Sequence, residues 1–125
     1  MKYKLTDETI EHSKRTLHRI QALKDFGDVK AGELGGYIES EKNLSQEGDC
    51  WVSHKAKVFG NAKVFHNALV CNNAWVSGDA WVFNEARVFD YVWVYGEAQI
   101  SGHAGISGKV EIFGDTEIKN GSILG

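Results

Sequence analysis

Between Gly48 and Gly125 the chain reads as thirteen consecutive six-residue units, of which Gly60-Asn61-Ala62-Lys63-Val64-Phe65 is typical. The fifth position of every unit is Val, Ile or Leu, and the third is small or β-branched, most often Ala. The first position is always Gly, Asn, Asp or His, the residues that adopt a left-handed backbone at the lowest cost. The repeat therefore predicts a corner of the chain at every sixth residue.

The three residues after each third-position residue are predicted to form a short strand. In Lys63-Val64-Phe65 the side chains alternate between the two sides, so Val64 points inward when its neighbours point outward. Three such strands and their corners close a triangular coil, and successive coils stack at the inter-strand spacing of about 4.8 Å. Thirteen units predict an all-β fold, a single-stranded parallel β-helix of about four to five triangular coils.

Residues 1–35 lie outside the repeat and are predicted to form a β-rich cap, whereas residues 36–125 are assigned to the β-helix, with clean units over 48–125. Ile38 and Leu44 are six residues apart and indicate degenerate units ahead of Gly48. Leu44 in turn lies six residues before Cys50.

The glycine-rich stretch from Gly32 to Ile38 lacks the spacing and the strand-turn-helix context of a phosphate-binding loop. Its glycines are interpreted as turns through which the chain enters the repeat.

The cap has two readings from sequence. Leu17, Ile20, Leu23 and Phe26 recur every third residue, which is typical of a helix. Strand-like residues on either side of the polar link Ser13-Lys14 indicate a hairpin instead. The hairpin is favoured because a strand pair can cover the unpaired edge at the end of a β-helix.

Composition limits the function classes. The formal net charge of −3 offers no electrostatic basis for binding nucleic acid. The N-terminus has no apolar signal region and no stretch approaches the length of a membrane span, so we expect a cytoplasmic protein without a membrane partner. Cys50 and Cys71 are the only cysteines, and their inward and outward positions argue against a disulfide.

Units such as Val58-Phe59-Gly60-Asn61-Ala62-Lys63 and Val76-Ser77-Gly78-Asp79-Ala80-Trp81 resemble the hexapeptide repeat of the left-handed β-helix superfamily. The resemblance implies the left-handed sense of the coil. The entry segment, with Lys24-Asp25-Phe26-Gly27-Asp28-Val29 and Gly35-Gly36-Tyr37-Ile38, also looks like small β-helix proteins of bacteria and their phages. Many of those carry only generic labels such as polymer-forming or transferase-like.

The superfamily includes acyltransferases that use acyl-coenzyme A and zinc-dependent carbonic anhydrases, both typically trimers with sites between subunits. An acyltransferase normally has a loop excursion, and thirteen uninterrupted units leave none. His54 and His66 occupy corners, and His103 lies two coils above His66, roughly 10 Å away, which is too far to share one metal ion. We therefore predict no catalytic residue, no metal ligand and no cofactor.

The outward positions carry the candidate binding residues, because many of them are aromatic and stack in columns on two faces of the prism. They are Phe59, Trp75, Trp93, Tyr95 and Phe113 on one face, and Trp81 and Phe83, with Phe65, on the next. Large exposed aromatic patches mark interaction surfaces. Three interpretations remain open: a homo-oligomer interface, a surface for a different partner, or side-chain ladders that only support the coils.

These observations favour a non-enzymatic, homo-oligomeric binding protein, with a trimer preferred and a dimer as the alternative. The resemblance to phage proteins suggests a host defence protein or a small nucleotide-like signalling ligand, held between subunits, as the partner. The alternatives are an acyltransferase-like enzyme using acyl-coenzyme A and a self-assembling structural scaffold.

Overall fold

A computed structural model describes all 125 residues. It consists of sixteen strands and one short 3-10 helix, Glu41–Asn43. The strands are β1 (Tyr3–His12), β2 (Arg15–Ala22), β3 (Leu34–Ile38), β4 (Trp51–Val52), β5 (Lys57–Val58), β6 (Lys63–Val64), β7 (Leu69–Val70), β8 (Trp75–Val76), β9 (Trp81–Val82), β10 (Arg87–Val88), β11 (Trp93–Val94), β12 (Gln99–Ile100), β13 (Gly105–Ser107), β14 (Glu111–Ile112), β15 (Glu117–Ile118) and β16 (Ser122–Leu124).

The short strands stack into three parallel sheets, which are the faces of a β-solenoid of about five coils. The first face contains β3, β5, β8, β11 and β14, the second contains β6, β9, β12 and β15, and the third contains β4, β7, β10, β13 and β16. From β4 onward each strand pairs with the strand three places along the chain, as β5 does with β8. The predicted all-β, stacked-coil fold is confirmed.

The corners and the core follow the hexad pattern. Twelve of the thirteen first positions have positive φ, for example Gly60 at 68° and Asn72 at 60°. Third-position alanines and fifth-position aliphatics line the interior, and side chains such as Ala74 and Val76 are fully buried. Burying one such valine contributes about 1.5–3 kcal/mol, and each coil gains this stabilisation against its neighbours.

The N-terminal segment is an antiparallel hairpin. β1 and β2 pair with each other, with a register shift between Leu5 and Thr9, where Asp7 and Glu8 interrupt the apolar alternation. The link residues Ser13 and Lys14 have φ of 52° and 64°, as a type I′ turn requires at both central positions. β2 pairs antiparallel with β3, and β3 pairs in parallel with β5. The hairpin therefore extends the first face of the solenoid.

The entry to the solenoid differs from the sequence expectation in two respects. Gly35 and Gly36 are buried residues of β3 rather than turns. A Cβ on Gly35 would lie 2.6 Å from Cζ2 of Trp51, so glycine is required there by close packing and not by a bend. Only Gly32, with φ of 90°, has a backbone conformation of the expected turn type.

The first coil is also longer than a regular one. Leu44 lies beside Val64, whereas the next inward aliphatic, Val52, lies beside Val70. The six-residue spacing between Leu44 and Cys50 is therefore not a step of the repeat. Asn43, the last residue of the 3-10 helix ahead of this longer segment, is fully buried and donates from its side-chain amide to the carbonyls of Gly60 and Ala62 at 3.2 and 2.9 Å.

The last unit slips by one residue relative to the predicted register. Ile123 stacks on Ile106, and Leu124, the expected inward residue, is 80% exposed. The positive φ of this corner belongs to Gly121 rather than Asn120. The slip lets glycine take the left-handed position, which it adopts at lower cost than asparagine. The structure contains no helix that is long and apolar enough to span a membrane.

Candidate functional site

A ladder of side chains runs up the first face. The rings of Trp75 and Trp93 are stacked, with centroids 4.6 Å apart and planes 5° from parallel. Lys57 lies below them with Nζ 5.9 Å from the centroid of the Trp75 ring, and Glu111 follows Trp93. Parallel in-register strands one coil apart bring identical positions into contact, so the fourth position of each unit forms this column.

A second column on the first face contains Tyr95 and Phe113, whose rings stack at 5.4 Å and 10°. The Tyr95 hydroxyl donates a hydrogen bond to Oε1 of Glu111 at 2.9 Å. That hydrogen bond to a carboxylate raises the pKa of Tyr95 above its usual value. The two columns are thus connected through Glu111.

The hairpin tip covers the lower part of this face. The His12 ring lies edge-on to Trp75 at 4.2 Å and to Phe59 at 5.2 Å. Phe59 is consequently buried and does not contribute to the exposed surface. The accessible aromatic side chains lie higher on the face, where Trp93 is 41% and Phe113 55% exposed.

Tyr91 adds to this surface and was not identified from the sequence. It is 56% exposed, with Nζ of Lys109 6.0 Å from its ring centroid, and it lines a shallow depression together with Trp93 and Glu111. Tyr91 occupies the second position of its unit, beside a corner, whereas the aromatic columns predicted from the repeat consist of fourth and sixth positions. We call Tyr91, Trp93, Tyr95 and Phe113 the upper aromatic patch.

The second face carries a smaller aromatic group. Phe65 and Phe83 are stacked at 4.8 Å with their planes 1° apart. Trp81 packs edge-on against Phe65 at 5.8 Å and is 39% exposed. This group is separated from the upper aromatic patch by the column of glycine corners Gly60, Gly78, Gly96 and Gly114.

The three histidines of the repeat do not converge. His66 Nδ1 lies 2.9 Å from Oδ1 of Asn84, and His103 Nδ1 lies 2.9 Å from Oε2 of Glu85, with both side chains exposed. His54 lies on another edge, with Nδ1 3.3 Å from the hydroxyl of Ser53. The structure contains no cluster of three His, Cys, Asp or Glu side chains with the geometry of a metal site.

A groove of about 600 Å³ lies between the third face and the cap. Trp51 and Leu69 contribute to its floor on the solenoid side, and the loop around Asp28 forms the opposite wall. The half-buried thiol of Cys71 also lines it, and burial raises the pKa of this thiol, helped by the carboxylate of Asp90. Cys50 and Cys71 are both free.

No protein family model matches the chain. It is similar to a protein of Escherichia coli (strain K12) named "uncharacterized acetyltransferase YdcK", with 49% identity over 45 residues. The similar region covers 35% of this chain and 14% of that protein, so the chain matches only a small part of its relative. The stacked coils and this similarity agree in the kind of fold that they indicate, a β-helix built from hexapeptide repeats. The chain fits the left-handed β-helix superfamily.

The fold explains why the inward residues are small or aliphatic, but it does not identify the function, because one fold can carry many unrelated activities. The function therefore depends on the outward residues. Three outward features of this β-helix protein could act on another molecule. They are the upper aromatic patch, the exposed pair His103–Glu85, and the groove beneath the cap.

Proposed function

We propose that this protein is a non-enzymatic binding protein that works as a homo-oligomer, with a trimer as the favoured state and a dimer as the alternative. The observation that carries the proposal is the upper aromatic patch, where stacked rings remain about half exposed to solvent. Isolated exposed apolar residues are ordinary, but contiguous aromatic surface marks interaction sites.

Two physical properties suit this patch to a protein interface. Tyr and Trp combine a large apolar area with a polar atom at the edge, and they are enriched at the centres of interfaces. The rings of Tyr95 and Phe113 are already held by stacking, and Tyr95 by its hydrogen bond to Glu111. Little side-chain entropy would therefore be lost when a partner packs against them.

The occupant proposed for the patch is a second copy of the same chain, since closed symmetric homo-oligomers are the commonest soluble assemblies. The partner proposed for that oligomer is a host defence protein or a small signalling ligand held between subunits. The choice of this partner rests on the resemblance to small bacterial and phage β-helix proteins.

Light scattering and native mass spectrometry over a range of concentrations test the oligomer. We expect a closed trimer or dimer, and we expect Trp93→Ala or Phe113→Ala to weaken association about tenfold or more, as truncation of an interface hot spot does. Trp81→Ala is the matched comparison, because Trp81 and Trp93 are 39% and 41% exposed on different faces. A monomer at all concentrations, or dissociation by Trp81→Ala alone, would contradict the proposal. An open polymer would support the scaffold alternative.

The second candidate is an acyltransferase-like enzyme that uses acyl-coenzyme A. It is favoured by the similarity to the E. coli protein named an acetyltransferase and by the pair His103–Glu85, since a carboxylate-paired imidazole can serve as a general base. Release of free coenzyme A from acetyl-coenzyme A in the presence of alcohol and amine acceptors measures this activity. His103→Asn should abolish it and His18→Asn should not, and no release by the wild type would exclude it for these acceptors.

A further inference from the structure

Asn120 and Gly121 form the only Asn-Gly pair of the chain, and they lie at the corner where the repeat slips by one residue. The left-handed conformation of this corner belongs to Gly121, whose carbonyl oxygen accepts a hydrogen bond from the Gly105 amide at 2.9 Å. One coil below, the third-position residue Ala104 has that role and accepts from Arg87 at 2.8 Å. The slip therefore leaves Asn120 exposed, directly before a left-handed glycine.

The side-chain carbonyl of Asn120 replaces a backbone carbonyl in the ladder. In a regular coil a second-position amide such as that of Glu85 donates to the backbone oxygen of the corner above it, Gly102, at 2.9 Å. His103 donates instead to Oδ1 of Asn120, at 3.1 Å. An amide donor at this oxygen stabilises the negative charge that develops there when a nucleophile adds to Cγ. Nδ2, the group that such an addition would expel, donates no hydrogen bond.

The nucleophile within reach of Cγ along the chain is the backbone nitrogen of Gly121. Its N–H donates no hydrogen bond, and glycine has no Cβ to hinder the closing of a ring. The asparagines of the regular units differ, because the amide that follows each of them is hydrogen-bonded, as Asn73 is to the Asp90 carbonyl at 2.9 Å. They are Asn61, Asn67, Asn72, Asn73 and Asn84. Asn43, the remaining one, is fully buried.

We propose that Asn120 is a site of spontaneous deamidation. The Gly121 nitrogen loses its proton to hydroxide and forms a bond to Cγ of Asn120. The bond from Cγ to Nδ2 then breaks, and ammonia leaves with a proton taken from water. Water finally opens the resulting succinimide ring. Addition of water at Cγ gives aspartate, whereas addition at the backbone carbonyl of Asn120 gives isoaspartate, in which the main chain runs through Cγ.

Isoaspartate lengthens the main chain by one atom between Asn120 and Gly121, immediately before β16. β16 pairs with β13, and Ile123 stacks there on the fully buried Ile106. A longer corner shifts β16 out of this register, so the modification loosens the strand and uncovers Ile106. The proposal goes beyond the oligomer proposed above, because β16 belongs to the third face and the upper aromatic patch to the first.

Incubation of the folded protein at mildly alkaline pH, followed by peptide mapping with mass spectrometry, tests the site. We expect a mass gain of one dalton in the peptide that contains Asn120, formed at a rate that rises with pH. Asn120→Gln should remain unmodified, because a glutamine would have to close a larger ring. Asn72 is the internal control and should stay intact. No gain at Asn120, or an equal gain at Asn72, would overturn the proposal.

Asn120→Asp separates the new charge from the longer main chain. The isoaspartyl fraction is isolated by chromatography and identified by enzymatic methylation of its free carboxylate. Hydrogen exchange of the Gly105 amide, which is bonded to the Gly121 carbonyl, should be faster in that fraction than in fresh protein. It should stay close to the fresh protein's rate in Asn120→Asp. Unchanged exchange in the isoaspartyl fraction, or an equal acceleration in Asn120→Asp, would contradict the loosening of β16 by the added atom.

Discussion

Two N-terminal side chains reach into the solenoid and attach the cap to it. Nζ of Lys2 donates to the carbonyl oxygens of Cys50 and Gly48 at 2.8 and 3.2 Å, and the Tyr3 hydroxyl donates to the carbonyl oxygen of Leu44 at 2.6 Å. Both side chains are almost completely buried, although neighbours in a strand point to opposite sides. Lys2 lies just before β1, and the segment from Leu44 to Cys50 supplies the carbonyl acceptors for both side chains, which explains why a lysine is buried here.

Tyr3→Phe tests the contribution of this attachment at the residue scale. The change keeps the ring but leaves the buried Leu44 carbonyl without its donor, so we expect a loss of about 1–2 kcal/mol in the free energy of unfolding. Tyr37→Phe is the control, because the Tyr37 hydroxyl donates to an exposed Glu8 carboxylate at 3.1 Å and should cost less than about 0.5 kcal/mol. Urea unfolding measures the free energy of unfolding of both variants. Equal losses would show that the buried hydrogen bond of Tyr3 stabilises the fold no more than the exposed one of Tyr37.

At the scale of the element, the three edges of the prism use different corner chemistry. The edge between the first and second faces is built from Gly60, Gly78, Gly96 and Gly114. The other two edges contain glycine at some corners and, at others, side chains that bond from coil to coil, such as Asn72 to Asp90 at 3.0 Å. All these corners share a left-handed backbone, and close backbone contact between successive corners occurs on the glycine edge and also between Gly48 and His66. A Cβ on Gly78 would lie 2.9 Å from the backbone nitrogen of Gly96.

Gly78→Ala and Gly114→Ala separate the two requirements placed on these corners. Their φ values are 66° and 67°, so both variants carry the same backbone penalty of about 1–2 kcal/mol. A Cβ on Gly114 would meet nothing within 4 Å, whereas one on Gly78 would press on the next coil. We expect Gly78→Ala to be less stable than Gly114→Ala by about a further 1–3 kcal/mol in thermal or urea unfolding. Equal losses would mean that backbone conformation alone selects glycine.

The elements that could be predicted from the sequence are those fixed by local chemistry. Corners such as Asn72 and inward residues such as Val76 follow from φ preference and from the two-residue side-chain period. Ser13-Lys14 could be interpreted as a turn for the same reason. Gly35 and Leu124 could not be placed, because the close approach of Trp51 to one and the one-residue slip at the other depend on contacts with distant chain.

The candidate sites also differ in how far they could be predicted from local sequence. Columns of aromatic residues followed from the repeat, since Trp75 and Trp93 occupy the same position in units one coil apart. The contact of His12 with Phe59 could not be predicted from the repeat, because the local sequence around either residue does not determine how the hairpin packs on the solenoid. The groove was missed for a related reason: Gly27 and Asp49 come close only after the cap folds back on the solenoid.

At the scale of the whole molecule, the hairpin continues the sheet of the first face, and its tip covers the lower part of that face. β1 and β2 add two antiparallel strands to the edge of the solenoid sheet, so β3 is paired on both sides and β1 is the terminal strand. The tip of the hairpin rests on Phe59 and Trp75 through a single titratable ring, His12. The area of aromatic surface that the molecule presents therefore depends on how firmly His12 is held.

His12 is suited to make this contact depend on pH. Burial lowers its pKa below the ordinary value of 6.5, and the ammonium group of Lys57 lowers it further. Nε2 is buried without a hydrogen-bond partner, so the folded state favours the neutral ring. Because the pKa is depressed on folding, the stabilisation is fully present above pH 6.5 and is lost as the pH falls towards the folded-state pKa.

We expect acidification from about pH 7 to pH 5 to loosen the hairpin tip. Hydrogen exchange of the amides beside Ser13, corrected for intrinsic rates, should accelerate in the wild type. His12→Phe keeps an aromatic contact without a titrating group and should remove most of that acceleration. His54→Asn, at an exposed left-handed corner, should retain it. If His12→Phe shows the full pH dependence, carboxylates elsewhere in the cap control the tip, and the pH response of the exposed aromatic surface does not originate at His12.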